Sequence, residues 1–105
     1  MLTAFRDVLR RTARTLGLEP ALHLAGVRAA WPDVVGPALA AAASPRALRG
    51  HRLLVDAEHP LAAQEIRLRE EEILERLRER FPDAGLRQIR VAVRGRGAGD
   101  ERGGG

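Results

Sequence analysis

The sequence predicts a small α+β domain in which helices precede a short β-sheet. Apolar residues recur at helical spacing through the first part of the chain, and they alternate strictly in two short segments further on. A long helical segment separates those two. With 105 residues, the chain can form one core but not a second. We therefore expect a single domain with N-terminal helices followed by the order β-β-α-β.

The first predicted helix covers residues 3–16 and is strongly amphipathic. At 100° per residue, one mainly apolar face collects the side chains of Leu2, Phe5, Val8, Leu9, Thr12, Ala13 and Leu16. The opposite face carries Arg6, Arg10, Arg11 and Arg14. Gly17 suits the C-terminal end of this helix. Residues 1–18 are therefore predicted to form an amphipathic basic helix.

A second helix is predicted over residues 19–31. Pro32 disfavours helix at the residue before it, so we expect a break or kink there. A third, short helix should follow over residues 34–43, with Asp33 at its N-terminus. Ser44-Pro45 would then end the helical part of the chain.

The remaining segments predict a small sheet. Residues 46–57 are interpreted as a hairpin, because Leu53, Val55 and Ala57 alternate with more polar neighbours. One helix should run over about residues 60–80. Residues 89–93 alternate again, and the helical crossover before them predicts a strand parallel to one hairpin strand. Residues 95–105 form a Gly/Arg tail that is too poor in apolar side chains to pack, so we expect disorder there.

The composition favours a soluble cytoplasmic protein that does not enter a membrane. Cysteine is absent, no apolar run reaches the roughly 20 residues of a membrane span, and no signal-peptide core is evident. All 18 basic residues are arginine, and the net charge is +4. A GC-rich coding bias explains the absence of lysine, whereas bidentate phosphate binding would also favour arginine. The composition leaves both explanations of the arginine content open.

The sequence shows no constellation for catalysis. His23, His51 and His59 lack metal-ligand spacing, and no metalloprotease motif, phosphate-binding loop or nucleophile elbow occurs. Ser44 is the one serine, and the proline that follows it suits a turn. We therefore expect no enzyme activity, metal, cofactor or small-molecule substrate.

A series of short motifs over residues 20–94 identifies a family. The series consists of Trp31-x-x-Val34-Val35-Gly36, Ser44-Pro45-x-x-Leu48, the strand Leu53–Ala57 and Ala62-x-Gln64-Glu65-Ile66. In its order and spacing it resembles the DciA-like family of small bacterial proteins. The signature residues are Trp31, Val35, Gly36, Pro45 and Leu48.

The resemblance implies a KH-like α+β domain over residues 19–94. It also implies a non-catalytic role as loader or operator of the replicative DnaB-type helicase in DNA replication, with single-stranded or structured DNA as a second partner. The family usually carries another tryptophan at the start of the long helix, and Leu61 occupies that place here. The Gly-x-x-Gly clamp by which KH domains hold single strands does not occur between residues 19 and 94.

Each candidate site residue has a structural and a functional interpretation. Trp31 is either a core residue or a base-stacking platform, and we expect the core. Gly36 is interpreted, like Gly26, as a glycine that permits close packing. Leu61 and Leu68 lie one above the other, away from the apolar stripe of their helix, as ordinary surface leucines or as a partner-facing edge.

The arginines of the first helix, Arg6, Arg10, Arg11 and Arg14, form either a solvated face or a phosphate-binding stripe. Arg94 and Arg96 resemble a very short Arg-Gly segment that could add to nucleic-acid binding. Two other functions remain open: an RNA-binding module of KH-like fold, and a protein-interaction domain without nucleic-acid affinity.

Overall fold

The computed structural model describes residues 2–94. Its helices are α1 (Leu2–Leu16), α2 (Glu19–Val35), α3 (Pro37–Ala42), α4 (Pro60–Leu68) and α5 (Glu70–Arg80). Its strands are β1 (Ala43–Arg49), β2 (Arg52–Ala57) and β3 (Gln88–Val93), and a 3-10 turn at Pro82–Ala84 precedes β3. The α+β class, with helices before a three-stranded sheet, is confirmed. The predicted tail over residues 95–105 lies outside the described residues.

The sheet has the order β1-β2-β3. Strands β1 and β2 form the predicted antiparallel hairpin, and β3 lies parallel to β2 with Leu53 opposite Ile89. The hairpin begins earlier than predicted, because Pro45 lies within β1 and does not precede it. Proline is tolerated there since β1 is an edge strand, and the register shifts immediately after it, between Pro45 and Ala47.

Helix α2 continues through Pro32 to Val35, so the prediction that the second helix ends at Trp31 is wrong. An internal proline removes one hydrogen bond and costs about 3 kcal/mol. Trp31, Val34 and Val35 are all buried at this end of α2, and each such burial contributes about 1.5–3 kcal/mol. Packing therefore outweighs the local preference, and the third helix starts three residues later than predicted.

Gly36 connects α2 to α3 through an unusual backbone conformation, not through close packing. Its φ of 96° and ψ of 152° fall in a region that is essentially restricted to glycine. A Cβ on Gly36 would meet nothing within 4 Å, so the predicted packing role is wrong there. Gly26 does have that role, since a Cβ on it would lie 2.8 Å from Cε1 of Phe81.

The helix predicted over residues 60–80 is divided at Arg69. Arg69 has φ −103° and ψ 16°, outside helical geometry, and no glycine or proline marks the position in the sequence. Glu70 follows directly, on the face that a continuous helix would bury. Its Oε2 accepts a hydrogen bond of 2.9 Å from the backbone N–H of Ile89, so the carboxylate is satisfied at the start of β3.

One core joins α2, α4 and α5 to the inner face of the sheet. Trp31 is 2% exposed within it, which confirms its core role. The indole Nε1–H donates a hydrogen bond of 2.8 Å to the backbone carbonyl of Ala43, the first residue of β1. The indole therefore links α2 to the sheet by both packing and a directional bond.

Replacing this side chain should destabilise the whole domain. Trp31→Ala is expected to lower the free energy of unfolding by about 3–5 kcal/mol, the usual cost of removing a large buried aromatic. Trp31→Phe keeps a ring but leaves the Ala43 carbonyl without its donor, so a loss of about 1–3 kcal/mol is expected. Urea unfolding followed by far-ultraviolet circular dichroism measures both. Equal midpoints for Trp31→Ala and the unmodified chain would contradict the core role.

Candidate functional site

Residues 2–94 show no group of three or more His, Asp or Glu side chains that could hold a metal ion. Within the same range, none of the helices is long and apolar enough to cross a membrane. The candidate sites in the described part of the chain are therefore surfaces: the two faces of α1, an edge of α4 and the open face of the sheet.

The basic stripe of α1 is exposed along its length. Two of its arginines have acidic neighbours from outside the helix: Arg10 lies 4.0 Å from Asp83, and Arg14 Nε lies 3.4 Å from Glu19. Exposed pairs of this kind contribute about 0–1 kcal/mol, so a stronger anion can displace them. Arg6 and Arg11 have no carboxylate within 4.0 Å among the described residues.

The apolar face of α1 is uncovered, which the amphipathic pattern did not reveal. Ala13 is the buried residue of this helix. The exposed apolar residues of α1 are Leu2, Phe5, Val8, Leu9 and Leu16. A depression of about 580 Å³ lies beneath the helix and is lined by Ala13, Arg10 and Phe81 among others. Helix α1 therefore contacts the rest of the domain near the border between its apolar and basic faces, so much of each face is exposed.

Leu61 and Leu68 are exposed on α4, at 73% and 74%. They are seven residues apart, which places them about 10 Å apart along one side of the helix. Leu61 borders a groove of about 510 Å³ between α4 and the connection from α2 to α3. Val35 and Gly36 of the family signature line the same groove. The structure therefore brings part of the signature and one predicted interface residue together, while Leu68 is not among the groove-lining residues.

The other signature residues lie in the core or against it. Trp31 and Pro45 are buried, and Leu48 is half-buried against the core. At 2% exposure, Trp31 is not available as a platform for a base.

A charged network fixes the end of α2 beside the groove. Arg69 donates a hydrogen bond of 3.1 Å to the carbonyl of Val35, and Arg76 donates one of 3.3 Å to the carbonyl of Val34. Both guanidinium groups reach Glu72 Oε2 at 3.3 Å. These positive groups satisfy carbonyls in the last turn of α2, where cations are favourable. Hydrogen bonding and charge from Arg69, supported by the charge of Arg76, lower the pKa of Glu72 below its ordinary value.

The face of the sheet away from the helices is open and basic. Arg52, Arg90 and Arg94 are exposed, as their alternation with apolar residues predicted. Arg94 lies 3.6 Å from Glu58. Arg96, predicted with Arg94 as a nucleic-acid contact, lies outside the described residues.

Two further arginines belong to this face and were missed. Arg46 and Arg49 lie on β1, but the sequence placed them beside a very short strand and in a turn. Simple alternation could not have found both, because they are three residues apart and share a face only through the register shift between Pro45 and Ala47. Arg46 Nε lies 3.2 Å from Asp56 Oδ1 on the neighbouring strand.

Comparison with known proteins identifies one family. The family model described as "Dna[CI] antecedent, DciA" matches residues 4–91, which is most of the chain. No curated protein matches the chain. The match includes nearly all of α1, the groove, the buried residues of the core and the first four of the six residues of β3.

The network at the end of α2 should give the domain an acid-dependent component of stability. Because the pKa of Glu72 is lower in the folded state than its ordinary 4.5, its contribution is complete above that value. The contribution is lost as the pH falls through the folded-state pKa. Urea unfolding of the unmodified chain and Glu72→Gln should therefore show a difference that is constant near neutral pH and shrinks in acid. Glu71→Gln, at the neighbouring exposed position, is the matched control. A difference that does not change with pH would contradict this account.

Proposed function

The chain belongs to the DciA family, and on that premise we propose that it is a non-catalytic adaptor of DNA replication that binds the replicative DnaB-type helicase and DNA and assists helicase loading. The family is associated with DnaB helicase loading and is not an enzyme family. The observation that carries the proposal is the family match over residues 4–91. The surfaces of α1 and α4 support it, because they offer apolar and basic contacts.

Leu61 and Leu68 are the proposed contact with the helicase. Two large apolar side chains, each about three-quarters exposed, lie on one side of α4, and a partner that covered them would gain the free energy of their burial. The groove beside Leu61 has an apolar floor that includes Leu39 and Ala62, with Glu65 and Arg69 among its polar lining residues. An apolar centre with a polar rim is the usual anatomy of a protein–protein interface.

The α1 arginines are the proposed contact with DNA. Arg6, Arg10 and Arg14 follow one another at steps of four residues, which are about 6 Å along the helix axis. Like charges at this spacing repel each other in the free protein. Phosphate groups remove that repulsion and release counterions, which favours binding at low salt. We propose residues 1–18 as a DNA-contacting element attached to a KH-like domain at residues 19–94, with Arg94 and Arg96 adding to the contact.

Disrupting the leucine edge should weaken helicase binding without unfolding the domain. Leu61→Asp with Leu68→Asp places two charges where the partner would cover apolar surface. An increase in Kd of at least tenfold is expected, which corresponds to about 1.4 kcal/mol. The measurement is pull-down and anisotropy titration of the full chain with the replicative helicase of the same organism. Circular dichroism verifies the fold.

The control is an equal change on the other apolar surface, Phe5→Asp with Leu9→Asp. If this variant loses helicase binding while the α4 variant retains it, the interface lies on α1 and not at the leucine edge. If the unmodified chain does not retain the helicase, the adaptor function itself is contradicted. Recovery of ribosomal components in its place would favour the RNA-binding alternative.

Neutralising α1 should reduce the salt dependence of DNA binding. Arg6→Gln with Arg11→Gln removes the two stripe arginines without acidic neighbours. The slope of log K against log salt should become shallower by about 1.4, since each single-strand phosphate contact contributes about 0.7. Fluorescence anisotropy with DNA and RNA oligomers of equal length measures the slopes. Arg67→Gln with Arg87→Gln, at two exposed arginines outside α1 and outside the network at the end of α2, is a control of equal charge. Equal slopes for the two double variants would contradict the α1 contact.

A further inference from the structure

The open face of the sheet contains a cluster of arginines that no carboxylate of residues 2–94 neutralises. Leu53, Val55 and Ile89 point into the core, so the residues that alternate with them point to the opposite, uncovered side. In the strand register, Arg49 lies opposite Arg52, and Arg90 lies on β3 opposite Leu54. All three arginines are exposed.

The arrangement of Arg49 and Arg52 is electrostatically unfavourable in the free protein. Directly paired residues on antiparallel strands have Cβ atoms about 5 Å apart, and like charges at such positions are destabilising. No carboxylate lies within 4.0 Å of either guanidinium, or of Arg90, among the described residues. Arg52 has a neutral partner: the Nε–H of Arg52 donates a hydrogen bond of 3.1 Å to Gln88 Oε1.

The acidic residues of the same side lie towards the other end of the strands. Asp56 is paired with Arg46 at 3.2 Å, and Glu58, just beyond the end of β2, is 3.6 Å from Arg94. Charge is therefore distributed unevenly along the sheet. At the end away from the hairpin turn the arginines form ion pairs with Asp56 and Glu58, whereas the three arginines nearer the turn have no such partner among the described residues. An anion at the hairpin end would replace repulsion by attraction.

We propose that Arg49, Arg52 and Arg90 form a binding surface for the phosphodiester backbone of nucleic acid. Arginine suits this ligand because its planar fork of donors matches a phosphate group. Neither of the two depressions described above is lined by these residues, so a small anion would find no enclosure there. An extended chain of phosphates can instead contact the three guanidinium groups in succession.

The same face is poorly suited to an acidic protein. Protein interfaces depend on large apolar or aromatic anchors, whereas the apolar neighbours of this cluster are Leu54 and the small Ala47, both already half-buried. The absence of aromatic residues from the three strands also removes base stacking. Binding should therefore be insensitive to base sequence and strongly dependent on salt. This inference rests on the proposed DNA-binding function and adds to it a second surface, distinct from α1.

The experiment compares neutralised variants of the full chain in anisotropy titrations. The probes are a single-stranded thymidine 20-mer, a mixed-sequence duplex and a uridine 20-mer. Arg49→Gln with Arg90→Gln should weaken binding at least fivefold and make the salt slope shallower by about 1.4 for single strands, since two phosphate contacts are lost. Asp56→Asn should have the opposite effect and strengthen binding, because it removes a negative charge from this face and releases Arg46. The three probes distinguish single-stranded DNA, duplex DNA and RNA as the source of the backbone.

A second measurement locates the contact independently of affinity. In a ¹⁵N-labelled sample titrated with the thymidine 20-mer, the Nε–H signals of Arg49, Arg52 and Arg90 should shift, while the Arg76 signal on α5 should not. The inference is overturned if the chain binds DNA but the sheet variants bind like the unmodified chain, or if the shifts are confined to α1. If the unmodified chain binds none of the probes, the proposed nucleic-acid function fails as well, and the two failures are thereby distinguished.

Discussion

The arrangement of the molecule depends on the contact between Trp31 and the start of β1. Its indole packs at the end of α2 and donates a hydrogen bond to the Ala43 carbonyl. One side chain therefore links the last turn of α2 to the first residue of the sheet. Between these two residues the chain ends α2, forms α3 and enters β1, with Gly36 as the single residue between the two helices. Gly36 makes this possible, because its backbone conformation is essentially unavailable to other residues. The groove beside Leu61 is a consequence of this turn, since the connection from α2 to α3 forms one of its walls.

The sequence predicted the elements whose signal is local and periodic. The alternation of apolar residues gave β2 and β3, and the crossover gave their parallel pairing. The errors fall where tertiary contacts override local preference: α2 passes through Pro32 because the core holds its last turn, and β1 contains Pro45 because an edge strand needs fewer donors. The division at Arg69 has no residue-type signal and is stabilised by long-range bonds to the end of α2. For the same reason, periodicity predicted that α1 is amphipathic but not that its apolar face is uncovered.

The arginines of residues 2–94 include two groups that composition cannot separate. One group donates to backbone carbonyls: Arg28 bonds to the carbonyls of Pro45 and Arg46 in β1, and Arg78 bonds to that of Leu86. These side chains hold helices to strands and connections, and replacing them would first affect the fold. The other group lies on exposed surfaces without such bonds, on α1 and at the hairpin end of the sheet. Both groups use the same residue type, so only three-dimensional placement distinguishes structural cations from those available to a partner.

The proposed surfaces share no residue, and this separation matters for an adaptor. A protein that assists helicase loading must contact the helicase while DNA is present, so the two contacts must not compete. Leu61 and Leu68 lie on α4, which packs against the inner face of the sheet, whereas Arg49, Arg52 and Arg90 lie on the outer face. The sheet itself therefore stands between the proposed protein contact and this DNA contact. Because the two contacts lie on opposite sides of the sheet, occupation of one leaves the other accessible, and a ternary complex requires no rearrangement of the described fold.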